Sequence, residues 1–247
     1  MQNYKEEIKY LEKYIKEQNL PKEELDKYIK ELEKGKPIQY IIGNVNFYGN
    51  IIKVNDSVLI PRFETELLCE KIINLVKKKY PNKKIDILDL GTGSGCIAIT
   101  LKKELESNVT ALDISEKALE VAKENAKLNN VEISFVNYDM VKYKEKKYDV
   151  IISNPPYIDK NEEIMDIVKD NEPHLALYAE EEGIYFYRKI IENIKYIGKE
   201  KYIIAFEIGQ SQSTRIVDIA KKELTDIDIS VEKDYQGLDR FIFIIKN

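Results

Sequence analysis

The tetrapeptide Asn154-Pro155-Pro156-Tyr157 directly follows the apolar run 148–153. Asn154 offers a side-chain carbonyl, and Pro155 offers a backbone carbonyl held nearby by two adjacent rings of fixed φ. Two such carbonyls can accept both N–H bonds of a planar –NH2 group and aim its nitrogen at an electrophile, while Tyr157 supplies a flat face. This arrangement suits methylation of a delocalised amide or amine nitrogen without a general base. Taken alone, the same residues also fit a plain turn after a strand.

A glycine-rich turn lies further upstream, between a short apolar strand and the apolar start of a helix. Its residues are Gly91-Thr92-Gly93-Ser94-Gly95. Glycines at alternate positions let the backbone approach a ligand without Cβ clashes, and the helix N-terminus beyond them carries a partial positive charge. The pattern is G-x-G-x-G, whereas the dinucleotide fingerprint is G-x-G-x-x-G, so NAD is the less favoured ligand.

Two further predicted strands lead to acidic residues. Asp113 ends the strand 109–113, and a carboxylate there can take both hydroxyls of a ribose, which indicates an adenosyl ligand. Asp139 and Met140 follow the strand 133–136 and suit an adenine amino group and ring face. Together with the glycines, these residues predict a pocket for S-adenosyl-L-methionine.

The composition excludes several classes of protein. A chain of 247 residues can bury one sizeable core, or one core with a small appendage. Cys69 and Cys96 lie in apolar helical stretches, which predicts buried thiols rather than a disulfide or a nucleophile. The single histidine, His174, excludes His-rich metal sites and most His-based triads, so no metal is expected.

The charge balance argues against direct binding of nucleic acid. The net charge is −5, from 39 basic and 44 acidic residues, whereas a protein that grips many phosphates usually has a basic excess. The lysines at 77–79 and 83–84 are interpreted as solvated surface. No signal peptide is recognisable at the N-terminus, and no apolar run approaches membrane-spanning length, so a cytoplasmic protein without a membrane partner is expected.

Strands that alternate with helices predict an α/β fold with a parallel sheet covered on both faces. Residues 1–36 form two amphipathic helices, interpreted as a small substrate-recruiting region or a helical lid. Residues 37–60 read as a β-hairpin linker, and the main domain spans 61–247. The last two strands, 227–231 and 241–245, are expected to pair antiparallel.

Two segments near the predicted site leave alternatives open. In the turn 61–66, Thr65 and the neighbouring carboxylates either cap the following helix or close one wall of the methyl-donor pocket. The segment from Tyr157 to Glu182 is long and irregular, and a loop of that length beside a site is typically functional.

These residues, in this order, resemble the class I methyltransferases that modify planar amide or amine nitrogens. Within them, the chain resembles the peptide chain release factor N5-glutamine methyltransferases, the PrmC/HemK family. The segments that carry the resemblance are 39–43, 47–49, 61–66, 89–95, 153–158, 172–177 and 207–209, with Asp234, Gly237 and Arg240. The resemblance implies a Rossmann-like fold with a mostly parallel seven-stranded sheet and an antiparallel final strand, preceded by a small helical region and a β-hairpin.

The resemblance also implies a set of residues around S-adenosyl-L-methionine. Those expected around its methionine part are Gly91, Thr92, Gly93, Ser94 and Gly95. The ribose is expected to contact Asp113, and the adenine is expected beside Asp139 and Met140. The end of the donor that carries the transferred methyl group is expected beside Asn154. The family often has an aromatic residue at the Met140 position, so stacking on adenine is expected to be weaker here.

For the substrate, the resemblance implies that Asn154 and Pro155 orient a glutamine amide in a slot shaped by Pro156 and Tyr157. Three residues of the turn before the helix are also expected to contact the substrate: Arg62, Glu64 and Thr65. The implied reaction is methyl transfer to the glutamine nitrogen in the Gly-Gly-Gln loop of bacterial release factors, with S-adenosyl-L-homocysteine as product.

Two departures from the family pattern bear on the substrate. The family usually carries a larger helical bundle before the hairpin, whereas the residues before Pro37 suffice for two helices, so docking of the release factor is expected to be weaker or different. Phe63 stands where a proline is usual, and a small effect is expected.

Three alternative functions compete with this one. Ribosomal protein glutamine methyltransferases share the tetrapeptide but tend to carry Ser-Pro where this chain has Glu64-Thr65-Glu66. Nucleic acid amino-methyltransferases that act on DNA usually flip the base and add a recognition domain, for which the chain has no room. A silent adaptor would show erosion of the donor glycines or of Asn154, and these residues are intact.

Overall fold

Two amphipathic helices begin the part of the chain that the structure, a computed structural model, describes: residues 4–247. They are α1 (Lys5–Glu17) and α2 (Glu23–Glu33), and they bury Leu11, Ile15 and Leu32 as their periodicity predicts. Residues 1–3 of the predicted helical region 1–36 lie outside the described residues.

The segment predicted as a hairpin linker, 37–60, contains a helical turn as well as a hairpin. The helix α3 (Ile38–Ile42) precedes the antiparallel strands β1 (Asn44–Phe47) and β2 (Asn50–Lys53). Pro37 precedes the first helical residue, and Gly43 ends the helix with a φ of 77°. A glycine adopts this left-handed conformation at little cost, so it allows the chain to leave the helix and enter β1.

The rest of the chain alternates helices and strands. These elements are α4 (Phe63–Lys79), β3 (Ile85–Leu90), α5 (Cys96–Glu104), β4 (Ser107–Asp113), α6 (Glu116–Leu128), β5 (Ser134–Asn137), β6 (Tyr148–Ser153), β7 (Ile158–Asp159), α7 (Asp166–Asn171), a 3-10 turn (His174–Ala176), β8 (Tyr178–Ala179), α8 (Tyr185–Ile197), β9 (Gly198–Glu207), α9 (Ser213–Glu223), β10 (Ile227–Lys233) and β11 (Asp239–Lys246). The segment predicted to be irregular after Tyr157 therefore holds α7 and a small parallel pair, β7 with β8.

Seven strands form the central sheet in the order β10-β11-β9-β6-β3-β4-β5. The strands from β9 to β5 in this order pair in parallel, and β11 runs antiparallel to both β9 and β10. The predicted mostly parallel, seven-stranded sheet with an antiparallel final strand is thus confirmed. Successive strands are added on one side of β3 as far as β5 and on its other side from β6 onward, so the strand order reverses between β3 and β6. Open α/β sheets bind ligands at such a place.

Apolar side chains cover both faces of this sheet. One face packs on α4, α5 and the hairpin strand β2, through residues such as Leu68, Ile97 and Ile52. The other face packs on α8 and α9, through residues such as Ile190 and Ile216. Helices on both faces explain why β6 is buried along its whole length.

Asn125 of α6 joins the hairpin to the glycine turn. Its Oδ1 accepts the Lys53 N–H at 2.7 Å, and its Nδ2 donates to the Lys53 and Ser94 carbonyls, each at 2.9 Å. The side chain is fully buried, so these bonds satisfy an amide that water cannot reach. The hairpin is therefore docked on the main domain next to the predicted donor pocket.

A charged cluster lies at the opposite end of the sheet, near the start of β6. The buried Asp149 carboxylate accepts hydrogen bonds from the Lys83 ammonium (2.8 Å), the Lys199 ammonium (2.6 Å) and the Asp86 N–H (2.8 Å). These three bonds outweigh the effect of burial and lower the pKa of Asp149. Lys83, predicted as solvated surface, is thus also a partner of a buried acid.

Candidate active site

A first cavity lies at the carboxyl ends of β3, β4 and β6. Its lining contains most of the predicted donor residues, namely Gly91, Thr92, Gly93, Ser94, Asp113, Asp139, Met140 and Asn154. Leu90 of β3 and Ser153 of β6 are register partners, so the glycine turn and the tetrapeptide leave the sheet side by side. The structure therefore brings together, in one cavity, residues that are far apart in the chain.

The conformation of the glycine turn explains why glycines occupy it. Gly91 has a φ of 75°, and a Cβ added there would lie 2.9 Å from the Met140 Cε. Gly95 has a φ of 81° and precedes α5, and its Cβ would lie 3.1 Å from the Ala122 Cβ of α6. Gly95 does not line the cavity. The absence of a side chain at Gly95 allows the close packing of α5 on α6, and its expected contact with the donor stays a prediction.

The Asp113 carboxylate binds backbone groups on both sides. Its Oδ2 accepts the Gly93 N–H and its Oδ1 accepts the Ser115 N–H, each at 2.9 Å. Burial raises the pKa of Asp113, although both hydrogen bonds favour the charged form. Nearby, the Asp139 Oδ1 accepts the Val141 N–H at 3.0 Å. Asp113 thus holds the glycine turn against the end of β4.

The Cys96 thiol also lines the first cavity. Burial raises the pKa of Cys96 to about 12, so the sulfur remains protonated at neutral pH. Cys69 is buried in α4, and both cysteines are free thiols. The expectation of buried, unpaired cysteines is confirmed.

A second cavity adjoins the first. Arg62, Pro155, Tyr157 and Glu207 line it, whereas Pro156 lines the first cavity. The residues that line both are Leu59, Asn154 and Ala176. Asn154 therefore stands in the wall between the cavity that holds the predicted donor residues and the cavity that holds the rest of the tetrapeptide.

The Asn154 side chain is oriented by Thr65. Its Nδ2 donates to the Thr65 Oγ1 at 3.1 Å, and the Thr65 hydroxyl donates to the Glu207 Oε2 at 2.7 Å. With its nitrogen so engaged, the Asn154 amide offers a ligand its carbonyl oxygen. Thr65 does not cap α4, because the residue before that helix is Arg62 and no side chain caps it. Thr65 lines the first cavity instead, as the alternative interpretation of this turn expected.

The turn before α4 is attached to the loop after α7. The Arg62 guanidinium forms an ion pair with the Glu172 carboxylate, whose Oε2 also accepts the Ile60 N–H at 3.1 Å. Glu172 is buried, so the pair is well shielded from water on one side. Glu64, which we also expected at the substrate, lines neither cavity. Of the three turn residues, the structure brings Arg62 and Thr65 to the cavities.

Gln212 and Gly183 contact the backbone of the tetrapeptide at its last residue, Tyr157. Gln212 accepts the Gly209 N–H at 2.9 Å and donates to the Tyr157 carbonyl at 2.8 Å. A Cβ at Gly183 would lie 2.1 Å from the same Tyr157 oxygen, so only glycine fits there. Burial raises the pKa of Tyr157, which keeps its hydroxyl protonated. The tetrapeptide is therefore a rigid platform.

Residues that the sequence reasoning did not assign to the site also line it. Leu59 borders both cavities, Glu207 borders the second, and Leu175 borders the first. For Glu207 a signal existed, because an acidic residue interrupts the strongly apolar segment 202–208 one position before its end. For Leu59 and Leu175 the sequence carries no such signal.

The residues from Tyr4 onward hold neither a cluster of metal-ligand side chains nor a membrane-spanning helix. No group of three or more His, Cys, Asp or Glu side chains within this range is placed to hold a metal ion. None of the helices formed by these residues combines the length and apolar character needed to cross a membrane.

Comparison with known proteins identifies close relatives over most of the chain. The model of the family "Methyltransferase small domain" matches residues 65–176. A release factor glutamine methyltransferase of Bacillus anthracis is 38% identical over 216 residues, covering 85% of this chain and 76% of the relative. The protein of the same name from Flavobacterium psychrophilum is 42% identical over 222 residues, covering 86% and 76%.

Solved structures share the fold at lower identity. A methyltransferase from Pyrococcus furiosus superposes with a TM-score of 0.58 at 20% identity, over 80% of this chain and 89% of that one. A ribosomal protein L11 methylase from Lactobacillus delbrueckii superposes with a TM-score of 0.55 at 21% identity, over 79% and 86%. The relatives of about 40% identity, which match most of this chain and about three quarters of their own length, show that this chain belongs to the release factor glutamine methyltransferase family.

Proposed function

We propose that this protein transfers a methyl group from S-adenosyl-L-methionine to the side-chain amide nitrogen of the glutamine in the Gly-Gly-Gln loop of bacterial peptide chain release factors. The observation that carries the proposal is the position of Asn154 in the wall between the two cavities. A planar amide in the second cavity would meet the Asn154 carbonyl at the boundary with the first. The name that the relatives share supports release factors as the substrate.

The first cavity suits S-adenosyl-L-methionine, which supplies an electrophilic methyl group when bound. Gly91, Thr92, Gly93 and Ser94 would hold its methionine part, since Gly93 has open space where a side chain would stand. The ribose would contact the carboxylate of Asp113, which lines this cavity. The adenine would lie between Asp139 and Met140, residues that offer a hydrogen-bond acceptor and a polarisable surface. No metal is part of the proposal.

The second cavity would hold the glutamine side chain. The Asn154 and Pro155 carbonyl oxygens would accept the two N–H bonds, which fixes the nitrogen in position and leaves its face toward the first cavity. Pro156 and Tyr157 would shape the slot around the amide. As the C–N bond forms, the bond between the methyl group and the donor sulfur would break, which leaves S-adenosyl-L-homocysteine. Hydrogen bonds from both N–H groups would stabilise the positive charge that develops on nitrogen. The nitrogen then releases one proton to solvent, so no side chain has to act as a base.

We propose a separate role for the N-terminal helices, the recruitment of the release factor. They lie next to the loop that borders the cavities, because the Asn171 Nδ2 donates to the Gly35 carbonyl at 3.1 Å. In this scheme residues 1–36 recruit the substrate, residues 37–60 link them to the main domain, and residues 61–247 form the methyltransferase domain. Arg62, Thr65 and Glu64 would lie near the incoming Gly-Gly-Gln loop. A cytoplasmic location follows from the proposed substrate and from two free cysteines.

Transfer of labelled methyl from S-adenosyl-L-methionine to a purified bacterial release factor tests the proposal. The matched control is the same factor with its Gly-Gly-Gln changed to Gly-Gly-Ala. We expect label on the first protein and none on the second. If neither protein were labelled while calorimetry showed donor binding, the substrate would have to be sought among ribosomal proteins or nucleic acids.

A further inference from the structure

The parallel pairing of β6 with β9 places two polar side chains at the same end of the sheet. Ser153 of β6 is the register partner of Phe206 of β9, so Asn154 and Glu207 follow on neighbouring strands. Thr65, in the first turn of α4, stands between their side chains. Its Oγ1 lies 3.1 Å from the Asn154 Nδ2 and 2.7 Å from the Glu207 Oε2.

The chemistry of these three groups decides which way each hydrogen bond runs. An ionised carboxylate can only accept, so the Thr65 hydroxyl must give its single proton to Glu207. The Thr65 oxygen is then left with lone pairs, which accept from the Asn154 –NH2 group. The Asn154 carbonyl oxygen is the part of the amide that remains for a substrate N–H. A flipped amide would present –NH2 to a substrate –NH2, where neither group can accept.

We propose that Thr65, oriented by the Glu207 carboxylate, is a positioning residue that holds the Asn154 carbonyl in the orientation needed to accept a substrate N–H. The inference rests on the proposed function, since it assumes a planar –NH2 group as the acceptor. Burial supports it, because Thr65 is 3% and Glu207 2% exposed. Water therefore has little access to replace either partner, and a lost hydrogen bond between them stays unsatisfied.

The hydrogen bonds that run from Asn154 through Thr65 to Glu207 form a relay. The surroundings of Glu207 make the direction of these hydrogen bonds depend on pH. The titratable and charged groups near enough to interact electrostatically with Glu207 come from several elements: Arg62, Glu64 and Cys69 from α4 and the turn before it, Cys96 from α5, Tyr157 from the tetrapeptide, Tyr187 from α8 and Arg240 from β11. Burial raises the pKa of Glu207 to about 7, against the Thr65 hydrogen bond and the two arginines. Above this pKa the carboxylate is ionised and the relay has a single direction. Below it, a protonated Glu207 can donate to Thr65, and the Asn154 amide loses its fixed orientation.

Kinetics of Thr65 variants on a release factor test the positioning role. We expect Thr65→Val, which removes the hydroxyl and keeps the shape, to lower kcat about ten- to a hundredfold with an unchanged KM for S-adenosyl-L-methionine. Thr65→Ser restores the hydroxyl and should lie within about threefold of the wild type. Thr214→Val, an exposed change on α9, serves as the control and should leave kcat unchanged.

The pH profile separates positioning from a merely structural role. In the wild type, kcat should fall as the pH drops through about 7, the pKa of Glu207. Glu207→Gln cannot titrate, so its kcat should be lower than that of the wild type at high pH and should lack this acidic limb. Glu200→Gln, an exposed change on the same strand β9, should retain the wild-type profile.

A spectroscopic measurement tests the relay without any methyl acceptor. The side-chain 15N–1H signals of Asn154, assigned by their loss in Asn154→Ala, should shift with pH around a midpoint of about 7. The shift should vanish in Thr65→Val and in Glu207→Gln. If the wild type showed this titration but methylated no release factor, the proposed function would fail while the relay stood. Signals that do not move with pH, a Thr65→Val variant with wild-type kcat, or a Thr65→Ser variant as slow as Thr65→Val would overturn the inference.

Discussion

The side-chain nitrogen of Asn154 donates to the hydroxyl oxygen of Thr65 across 3.1 Å, although 89 positions separate the two residues in the chain. This contact joins the tetrapeptide after β6 to the first turn of α4. It places the only polar group of Thr65 against the residue proposed to orient the substrate. Consequently, the first turn of α4 contacts the tetrapeptide through Thr65 as well as lining the first cavity.

Replacement of Asn154 separates binding of the donor from turnover. We expect Asn154→Ala to bind S-adenosyl-L-methionine almost normally and to lose about a hundred- to a thousandfold in kcat, as when a preorganised hydrogen-bonding group is removed from an active site. Calorimetry and single-turnover transfer to a release factor measure the two quantities. Asn161→Ala, in the exposed loop after β7, is the control. Near-normal turnover in Asn154→Ala would exclude the positioning mechanism.

Replacement of Asp113 is expected to act on the donor. Asp113→Ala removes the proposed ribose partner and also releases the Gly93 and Ser115 N–H groups. Loss of hydrogen bonds to a charged group costs about 1.5–3 kcal/mol, so affinity for S-adenosyl-L-methionine should fall at least about tenfold. Isothermal titration calorimetry measures this change, with the exposed Asp218→Ala as the control. Unchanged affinity would remove Asp113 from the donor site.

Two glycines of similar backbone conformation provide a test of the glycine turn. Gly91 and Gly237 have φ values of 75° and 79°, but an added Cβ meets the Met140 Cε at Gly91 and open space at Gly237. Both alanine substitutions should cost about 1 kcal/mol of stability from backbone strain. Only Gly91→Ala should also weaken donor binding, because it disturbs Met140 inside the first cavity. Equal donor affinity in the two variants would contradict the assignment of this cavity.

The buried carboxylate of Asp149 should make the protein sensitive to acid. The pKa of Asp149 is lowered in the folded state by Lys83, Lys199 and the Asp86 N–H. The contribution of Asp149 to the free energy of unfolding is therefore complete above the ordinary carboxyl pKa. That contribution is lost as the pH falls from about 4 downward through the lowered value.

Asp149→Asn keeps the shape and removes the charge, so we expect it to lower the free energy of unfolding at neutral pH by about 2–3 kcal/mol. Its unfolding should also depend less steeply on pH below about 4 than that of the wild type. Urea unfolding at several pH values measures both effects. Asp218→Asn, on the exposed face of α9, should change neither. Parallel pH curves for Asp149→Asn and the wild type would show that other groups cause the acid sensitivity.

Local patterns predicted the elements that carry the site. The glycine turn, the acid at the end of β4 and the tetrapeptide were all recognised from residue type and order, and all of these residues except Gly95 line one or both of the two adjoining cavities. The patterns could not show contacts between neighbouring elements. The place of Gly95 at the donor stays a prediction, and the structure adds that a Cβ there would press on Ala122 of α6. Glu64 was expected at the substrate, but it lines neither cavity.

The amino-acid sequence by itself determined the fold class, the order of the strands along the chain and the chemistry that each turn can offer, because periodicity and turn composition are local properties. Only the tertiary structure decided that β6 lies between β3 and β9, and hence that Asn154 shares one cavity with the glycine turn and the other with Glu207. It also decided that Thr65 completes a relay instead of capping α4. Hydrogen bonds between distant segments depend on which strands become neighbours, and that is settled by burial of apolar surface over the whole sheet.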